Sequence, residues 1–508
     1  MTASADAGAP RSLWRSSVLV AAVTLATKVT GFLRVTAITA RLGATAYTDA
    51  FLTAFLVPES LYVFLTEGAI TTAFVPPFTR ALAESPASFG ALVAATLARV
   101  TLLGVLAGAV LAAFAAPITS LIAPRFAQDT GLLTAELVRG IAPYIPLTAA
   151  AAVAFAACHA RGRFLAPALG PLLFNLAIIA SVYFSNPRNV HPLVWGVVAG
   201  GVLQLLLQLG PMCAGVPWRA RAAVEPHPGL PAIGRLLLPL TFSLGVTQVQ
   251  ILGERAIASG LADGVITSMN LVQKLVNLPL GLVGMAVAAP LMPALARHDA
   301  AGDRAAFAGA LSRALLAAVA AIAPLSAVCL VAPADVVRVL FQRGAFGAQN
   351  VADAARMLWH YAFGLPAVSV TFLLTGAFLA QGVATTPALL RAVLLTGNLA
   401  LNWAWLERMQ VAGIPLAWSL MYVVNALCLL ALASRRHPEL RGARVLGASL
   451  AVSAAALAAA ALVAQVPGGG PDAPRLAALA RLAAIGAAAA GASAAAFLLA
   501  RPVRGTEA

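Results

Sequence analysis

Lys28-Val29-Thr30-Gly31-Phe32-Leu33-Arg34 places two cations inside an otherwise apolar run. Three more charged motifs follow closely: Thr48-Asp49-Ala50-Phe51, Pro58-Glu59, and Glu67-Gly68-Ala69 ahead of Ala73-Phe74-Val75-Pro76. An ionised side chain at membrane depth costs about 2.5–3.5 kcal/mol on insertion scales. A chain keeps such residues where they face water, a partner or a substrate. The stretch therefore reads as the lining of a central cavity between membrane-spanning helices.

The rest of the composition agrees with a membrane setting. The 508 residues are 61% hydrophobic and only 10% charged, with a mean hydropathy of +0.90; soluble domains carry about 25% charged residues. Apolar runs recur from end to end and are too long and continuous for the alternating strands of a β-barrel. The fold class is an all-α polytopic membrane protein. The formal net charge of +15 would ordinarily raise nucleic-acid binding, but no soluble basic domain is present to do it. Cys158, Cys213, Cys329 and Cys428 are scattered; they suit neither a disulfide framework nor a metal motif and read as small apolar filler. The N-terminus lacks a clear small-residue cleavage site and does not read as a signal peptide.

About fourteen segments are long enough to span, from 16–41 and 48–80 through 233–259, 386–406 and 411–433 to 444–466 and 476–500. With the N-terminus inside, about sixteen loop arginines fall on the cytoplasmic side, Arg80, Arg161 and Arg435 among them, against about seven outside. Both termini are predicted cytoplasmic. The chain also repeats. Pro146, Gly162 and Pro167-Ala168-Leu169 recur 220 residues later as Pro366, Gly382 and Pro387-Ala388-Leu389, and Val75-Pro76 with Arg80 recurs as Met292-Pro293 with Arg297. This predicts two pseudo-symmetric six-helix lobes, 1–215 and 233–437, joined by a cytoplasmic linker, 216–232. An even helix number keeps both lobes in one orientation, related by an axis along the membrane normal, with a site between them. Residues 438–508 form an additional helix pair whose Pro467-Gly468-Gly469-Gly470-Pro471 loop is a turn signal. Its alanines permit close packing against a lobe or against lipid.

Lys28 and Lys274 are the only lysines, one in each repeat and both well inside apolar segments. Six residues separate Lys28 from Arg34, so the two point within about 120° of each other on a helix. Gly31 between them permits a bend or a close approach, and Pro58 and Gly68 are further hinge candidates. Snorkelling to the interface is the competing reading; it suits Arg34 and Arg41 near a helix end better than Lys28. Ammonium and guanidinium groups favour phosphate. Two or three of them in a low-dielectric cavity repel one another and suit a pyrophosphate. Asp49 and Glu67 either offset that repulsion or bind sugar hydroxyls; Asp49 also fits an N-cap. Gln273 and Asn277, near Lys274, either line the cavity or bond helices together. Glu254 and Arg255 read as a local ion pair, Glu59 as a cap on a broken helix, and Trp359-His360-Tyr361 as an interfacial belt.

No enzyme signature is present: no Walker A, no His-Glu-x-x-His, no nucleophile elbow, and no cofactor or metal motif. Uphill work would then draw on an ion gradient, removal of product, or the membrane potential, worth about 2.3 kcal/mol per charge per 100 mV.

The motifs at Lys28–Arg34, Thr48–Phe51, Glu67–Ala69 and Ala73–Pro76 resemble those of the MurJ (MviN) family. These are the lipid II flippases of peptidoglycan synthesis, within the multidrug/oligosaccharidyl-lipid/polysaccharide exporter superfamily. Leu278-Pro279 and Gly281-Leu282-Val283-Gly284, ahead of Leu291-Met292-Pro293, match the second-repeat counterpart. The resemblance implies fourteen helices in the bacterial cytoplasmic (inner) membrane and a cavity where cations hold the pyrophosphate of a polyprenyl-linked precursor. It also implies a groove for the lipid tail made partly by the last two helices, and alternating access of the lobes. By position, Arg34 matches a family cavity arginine, Lys28 and Lys274 stand where arginine is frequent, and Asp49 and Glu67 match acidic positions. Two positions depart: Tyr62 replaces an arginine common in the second helix, and Val35 an acidic residue. The expected partner is lipid II. A different polyprenyl-pyrophosphate oligosaccharide is the alternative, and a multidrug exporter, which favours an acidic cavity, a more distant one.

Overall fold

A computed structural model describes residues 9–63, 73–218, 222, 224–225, 227–465 and 475–500. Glu67, Gly68 and the 467–471 turn lie outside them, as does the side chain of Tyr62. Among the described residues the chain is helical from end to end, with one isolated β-bridge between Asn186 and Asn189. The helices are α1 (Ala9–Leu42), α2 (Ala46–Val63), α3 (Val75–Glu84), α4 (Pro86–Ala113), α5 (Ala115–Ile122), α6 (Gln128–Ile141), α7 (Tyr144–Ala160), α8 (Leu165–Val182), α9 (His191–Cys213) and α10 (Leu230–Ala258). They continue as α11 (Val265–Val283), α12 (Ala289–Ala300), α13 (Arg304–Val331), α14 (Pro333–Phe341), α15 (Ala348–Ala380), α16 (Thr385–Met409), α17 (Gly413–Arg436), α18 (Gly442–Ala464) and α19 (Arg475–Ala500).

By length and composition nine described stretches can cross a membrane, or up to ten if the bent pair α6–α7 is one span. The count of fourteen is therefore not reached. The stretch Thr385–Arg436 passes as one although it holds two expected spans. The expected spans 16–41, 48–80 and 233–259 all include residues or side chains outside the described set. The chain is a multi-pass membrane protein.

Two compact units divide at Thr267/Ser268, inside the first turn of α11. In the first unit the core is built from α3, α4, α7 and α9 around Phe74, Phe78, Phe89, Val153 and Met212, with Ile233 of α10 joining it. In the second, α12, α13, α15 and α17 share a core that includes Leu295, Leu315, Phe378 and Leu429. The C-terminal pair packs on the lobe: Val452, Ala456 and Ala460, spaced one turn apart on α18, meet Val319, Ala323 and Ala327 of α13 and Ile485 and Ala489 of α19. Small side chains let these backbones approach, and Ser493 donates to the Ala320 carbonyl at 2.7 Å. Asp335 of α14 holds α19 by charge. Its Oδ2 lies 2.6 Å from Arg481 Nη1 and its Oδ1 3.2 Å from Arg338 Nη2.

Prolines interrupt several helices, as spanning helices tolerate when the freed carbonyl finds another donor. Pro366 cannot bond to the Ala362 carbonyl, and Ser326 of α13 donates to it instead at 2.6 Å. The repeated motifs have equivalent local structures. Gly162 and Gly382 close α7 and α15 at φ +68° and +73°, where glycine escapes the Cβ penalty. Each turn is tied by the same pair of backbone bonds, Gly162 to His159 with Arg163 to Cys158, and Gly382 to Leu379 with Val383 to Phe378. A π-helical turn precedes the proline-bearing α3 and α12 alike, at 73–74 and at Gly284–Ala288. Tyr361 departs from the belt expectation. It is 1% exposed, because its ring packs edge-on against Trp418 and its hydroxyl accepts from Gln273. Cys158 and Cys329 are buried filler, whereas Cys213 is exposed.

Candidate functional site

Arg34 is a buried cation of the first unit. It is 9% exposed on α1. Its guanidinium lies 5.3 Å from the Phe55 ring centre and 5.9 Å from that of Phe174, two rings that stack at 6.2 Å. Nη2 is 3.8 Å from Oε1 of Glu59. Phe55 and Glu59 lie one turn apart on α2, so a single face of that helix offers the guanidinium both a ring and a countercharge. The cation is thus positioned by α2 and α8. Glu59 is a countercharge in the fold, not simply the cap of a broken helix. Arg41, at the end of α1, bonds through Nε to the Ser185 carbonyl at 3.2 Å.

Lys28 stands exposed on the same helix. On either side of Lys28, α1 lies against α8 at Asn175, whose Nδ2 donates to the Thr27 carbonyl at 3.3 Å and to Thr30 Oγ1 at 3.4 Å. A Cβ on Gly31 would stand 3.5 Å from that nitrogen, an ordinary contact. Pro58 is buried within α2.

Asp49 caps a helix, but not its own. Thr45 and Thr48 exchange bonds at the start of α2, with the Thr45 amide donating to Thr48 Oγ1 at 2.8 Å. That leaves Asp49, 3% exposed, to accept from the Gly264 amide at 2.8 Å, the Thr267 amide at 2.7 Å and the Thr267 hydroxyl. These donors belong to the first turn of α11 and the residue before it, where unpaired amides and the helix dipole favour an anion. Gly264 is required there: at φ +85° an added Cβ would meet the Ala44 carbonyl oxygen at 2.3 Å.

Glu254 and Arg255 are both buried, at 5% and 3% exposure. Glu254 accepts from Gln250 Nε2 at 2.9 Å, an i, i+4 contact that its spacing could have signalled. In the second unit, Lys274 is half-buried on α11 and Asn277 is exposed. Gln273 donates to the Tyr361 hydroxyl at 3.0 Å, which ties α11 to α15. Arg34 and Glu59 are brought together; Lys28 and Arg34 belong to one unit, and Lys274, Gln273 and Asn277 to the other. Among the described residues no three His, Cys, Asp or Glu side chains gather as a metal would require.

Comparison with known proteins gives concordant results. The family model described as "Lipid II flippase MurJ" matches residues 38–468. The lipid II flippase MurJ of Burkholderia cenocepacia is 29% identical over 442 residues, covering 82% of this chain and 83% of its own. The probable lipid II flippase MurJ of Rhizobium meliloti is 31% identical over 437 residues, covering 83% and 80%. Among solved structures, lipid II flippase MurJ in an inward closed conformation superposes with a TM-score of 0.78 at 18% identity, over 95% of this chain and 98% of that one. An inward-facing multidrug resistance MATE transporter of the MOP superfamily gives 0.69 at 13% identity, over 84% and 98%.

Proposed function

Because the chain belongs to the lipid II flippase MurJ family, we propose that it moves lipid II across the bacterial cytoplasmic (inner) membrane, from the cytoplasmic to the outer leaflet. The observation that carries this reading is the family match over residues 38–468, a span that takes in the repeated motifs from Val75-Pro76 to Pro387-Ala388-Leu389 and begins just after Lys28 and Arg34. The basic character of the candidate residues supports it over a multidrug exporter. A transporter needs no catalytic group, and none is assigned.

In this reading Lys28, Arg34 and Lys274 hold the pyrophosphate, with Asp49, Glu67, Gln273 and Asn277 as acidic and polar cavity residues. Arg34 would contribute the bidentate fork and the two lysines compact point charges. Glu59 keeps the guanidinium oriented while the cavity is empty. The lobes 1–215 and 233–437 would exchange access, the pair 438–508 would serve the lipid tail, and both termini would lie in the cytoplasm. Asp49 would act in the cycle through α11: a state in which α2 and the start of α11 separate must first give up the three bonds to Gly264 and Thr267. Coupling to an ion or to the membrane potential would supply direction.

The test is rescue. Expression of this chain in cells depleted of their own flippase should restore growth and the appearance of lipid II at the outer face. Growth restored without lipid II exposure would move the substrate to another polyprenyl-pyrophosphate glycan, and no rescue with normal membrane insertion would remove the reading.

A further inference from the structure

Two neighbouring residues of α8, Phe174 and Asn175, reach α1, and α9 holds them there from behind. A Cβ on Gly200 would stand 3.1 Å from both the Cα and the carbonyl oxygen of Phe174, and one on Gly201 would meet the Tyr144 ring at 2.7 Å. The two glycines let α9 lie close against the α8 backbone and against Tyr144, which is buried with its ring 5.2 Å from that of Phe174. Fixed in this way, Phe174 sets its ring 5.9 Å from the Arg34 guanidinium.

Asn175 reaches the turn of the other cation. It is 7% exposed, and its Nδ2 bonds both the Thr27 carbonyl and Thr30 Oγ1. A carbonyl only accepts, so the amide NH2 is the group that faces α1. The Thr30 hydroxyl gives its own hydrogen to the Ala26 or the Thr27 carbonyl, at 2.9 and 3.0 Å, and its oxygen accepts from Asn175. Both amide hydrogens are spent on one turn of α1, the turn that carries Lys28.

A leucine of similar shape would pack α8 on α1 with no polar group to satisfy. What the amide adds is direction. Apolar contact sets a distance between helices, whereas a pair of hydrogen bonds to one turn also sets its rotation. The apolar neighbours of Lys28, namely Leu25, Val29 and Leu33, are exposed and do not fix that rotation. Turning a helix by about 20° moves a side-chain tip about 6 Å from its axis by roughly 2 Å, more than a hydrogen bond to phosphate tolerates.

We propose that Asn175 is a positioning residue for the substrate's phosphates, on the reading that Lys28 and Arg34 hold the pyrophosphate. Through Thr27 and Thr30 it sets the rotation of α1 and presents Lys28 to the group that Arg34 binds, while Phe174 beside it holds Arg34.

Lys28 and Lys274 are the only lysines, so reductive ¹³C-methylation of the full chain gives one resonance for each beside that of the terminal amine; Lys274→Arg assigns them. The parent and Asn175→Leu are compared in nanodiscs, without ligand and then with inorganic pyrophosphate. In Asn175→Leu the Lys28 resonance should move while that of Lys274, in the other compact unit, stays in place. The pyrophosphate midpoint read at Lys28 should rise about fivefold, as loss of a neutral hydrogen bond from the competent state implies. Thr30→Val, which removes one of the two acceptors, should raise it less, and Thr30→Ser, which keeps the hydroxyl, not at all; this pair carries the same comparison if Asn175→Leu does not insert. An unchanged midpoint would overturn the proposal and leave the transport reading standing. Equal disturbance of both lysine resonances would make Asn175 a general packing residue and overturn it too. No response to pyrophosphate at Lys28 in the parent would instead count against the transport reading, and the proposal would fall with it.

Discussion

Replacing Asp49→Asn should loosen the start of α11 by a measurable amount. The carboxylate accepts from two backbone amides at 2.7–2.8 Å and from the Thr267 hydroxyl. Asparagine keeps one oxygen, which can still serve the Thr267 side, but turns an NH2 group toward the Gly264 amide, donor against donor. Hydrogen bonds to a charged group are worth about 1.5–3 kcal/mol each, and loss of a helix cap costs about 1 kcal/mol. Losing one bond and the charge on the others gives about 2 kcal/mol, or roughly a 30-fold rise in the open population of this turn. Hydrogen exchange read on peptides covering 260–270 should show amide protection at Gly264 and Thr267 falling by about that factor. Thr267→Val should show a smaller loss, and the double variant less than the sum, because the two share one interaction. Unchanged protection in Asp49→Asn would refute the capping account and, with it, the step in which α2 and α11 must part.

Other outcomes follow from the same geometry. Arg34→Lys should fail to rescue flippase-depleted cells where Glu59→Gln rescues partially, since the first loses the planar fork between the rings of Phe55 and Phe174 and the second only a countercharge 3.8 Å away; equal rescue would argue against the positioning role. Asp335→Asn should release α19 from α14 at a cost of about 3 kcal/mol, because it takes from buried Arg338 and half-buried Arg481 the carboxylate they share. Limited proteolysis between α18 and α19 should then accelerate. Burial holds the His437 imidazole below its ordinary value near 6.5, with Arg304 and Arg436 adding to the effect and Glu439 and Asp299 opposing it. The fold thus favours the neutral form. Its contribution to stability is full above about pH 6.5 and is lost as pH falls through the lowered value. Thermal melting between pH 7.5 and 5.5 should be flatter in His437→Gln than in the parent.

Much of the architecture can be read from the residues because membrane burial leaves a long signal. Uninterrupted apolar runs announce helices, and the 220-residue offset picks out two corners, at Gly162 and Gly382, that share a left-handed glycine and the same backbone bonds. The number of crossings is less legible, since α16 and α17 pass as one apolar stretch. Burial is legible too: Arg34 and Asp49 stand out in the sequence as charges among apolar residues, and both are buried. Their partners do not. Glu59 meets Arg34 only because α1 packs beside α2 and α8, and Asp49 bonds backbone amides 215 and 218 positions away, for which no side-chain pattern exists. Gln250 and Glu254 show the converse, since a contact within one helix is written in its spacing.

The central claim is that Lys28, Arg34 and Lys274 act on the pyrophosphate of a lipid-linked substrate. Its most direct test is a flipping assay in proteoliposomes, in which lipid II loaded in one leaflet is scored as it becomes accessible in the other. The account predicts that the purified chain moves lipid II and that Lys28→Ala, Arg34→Ala and Lys274→Ala each abolish movement while the protein still inserts and melts as the parent does. Transport at the parent rate by the triple alanine variant would contradict it.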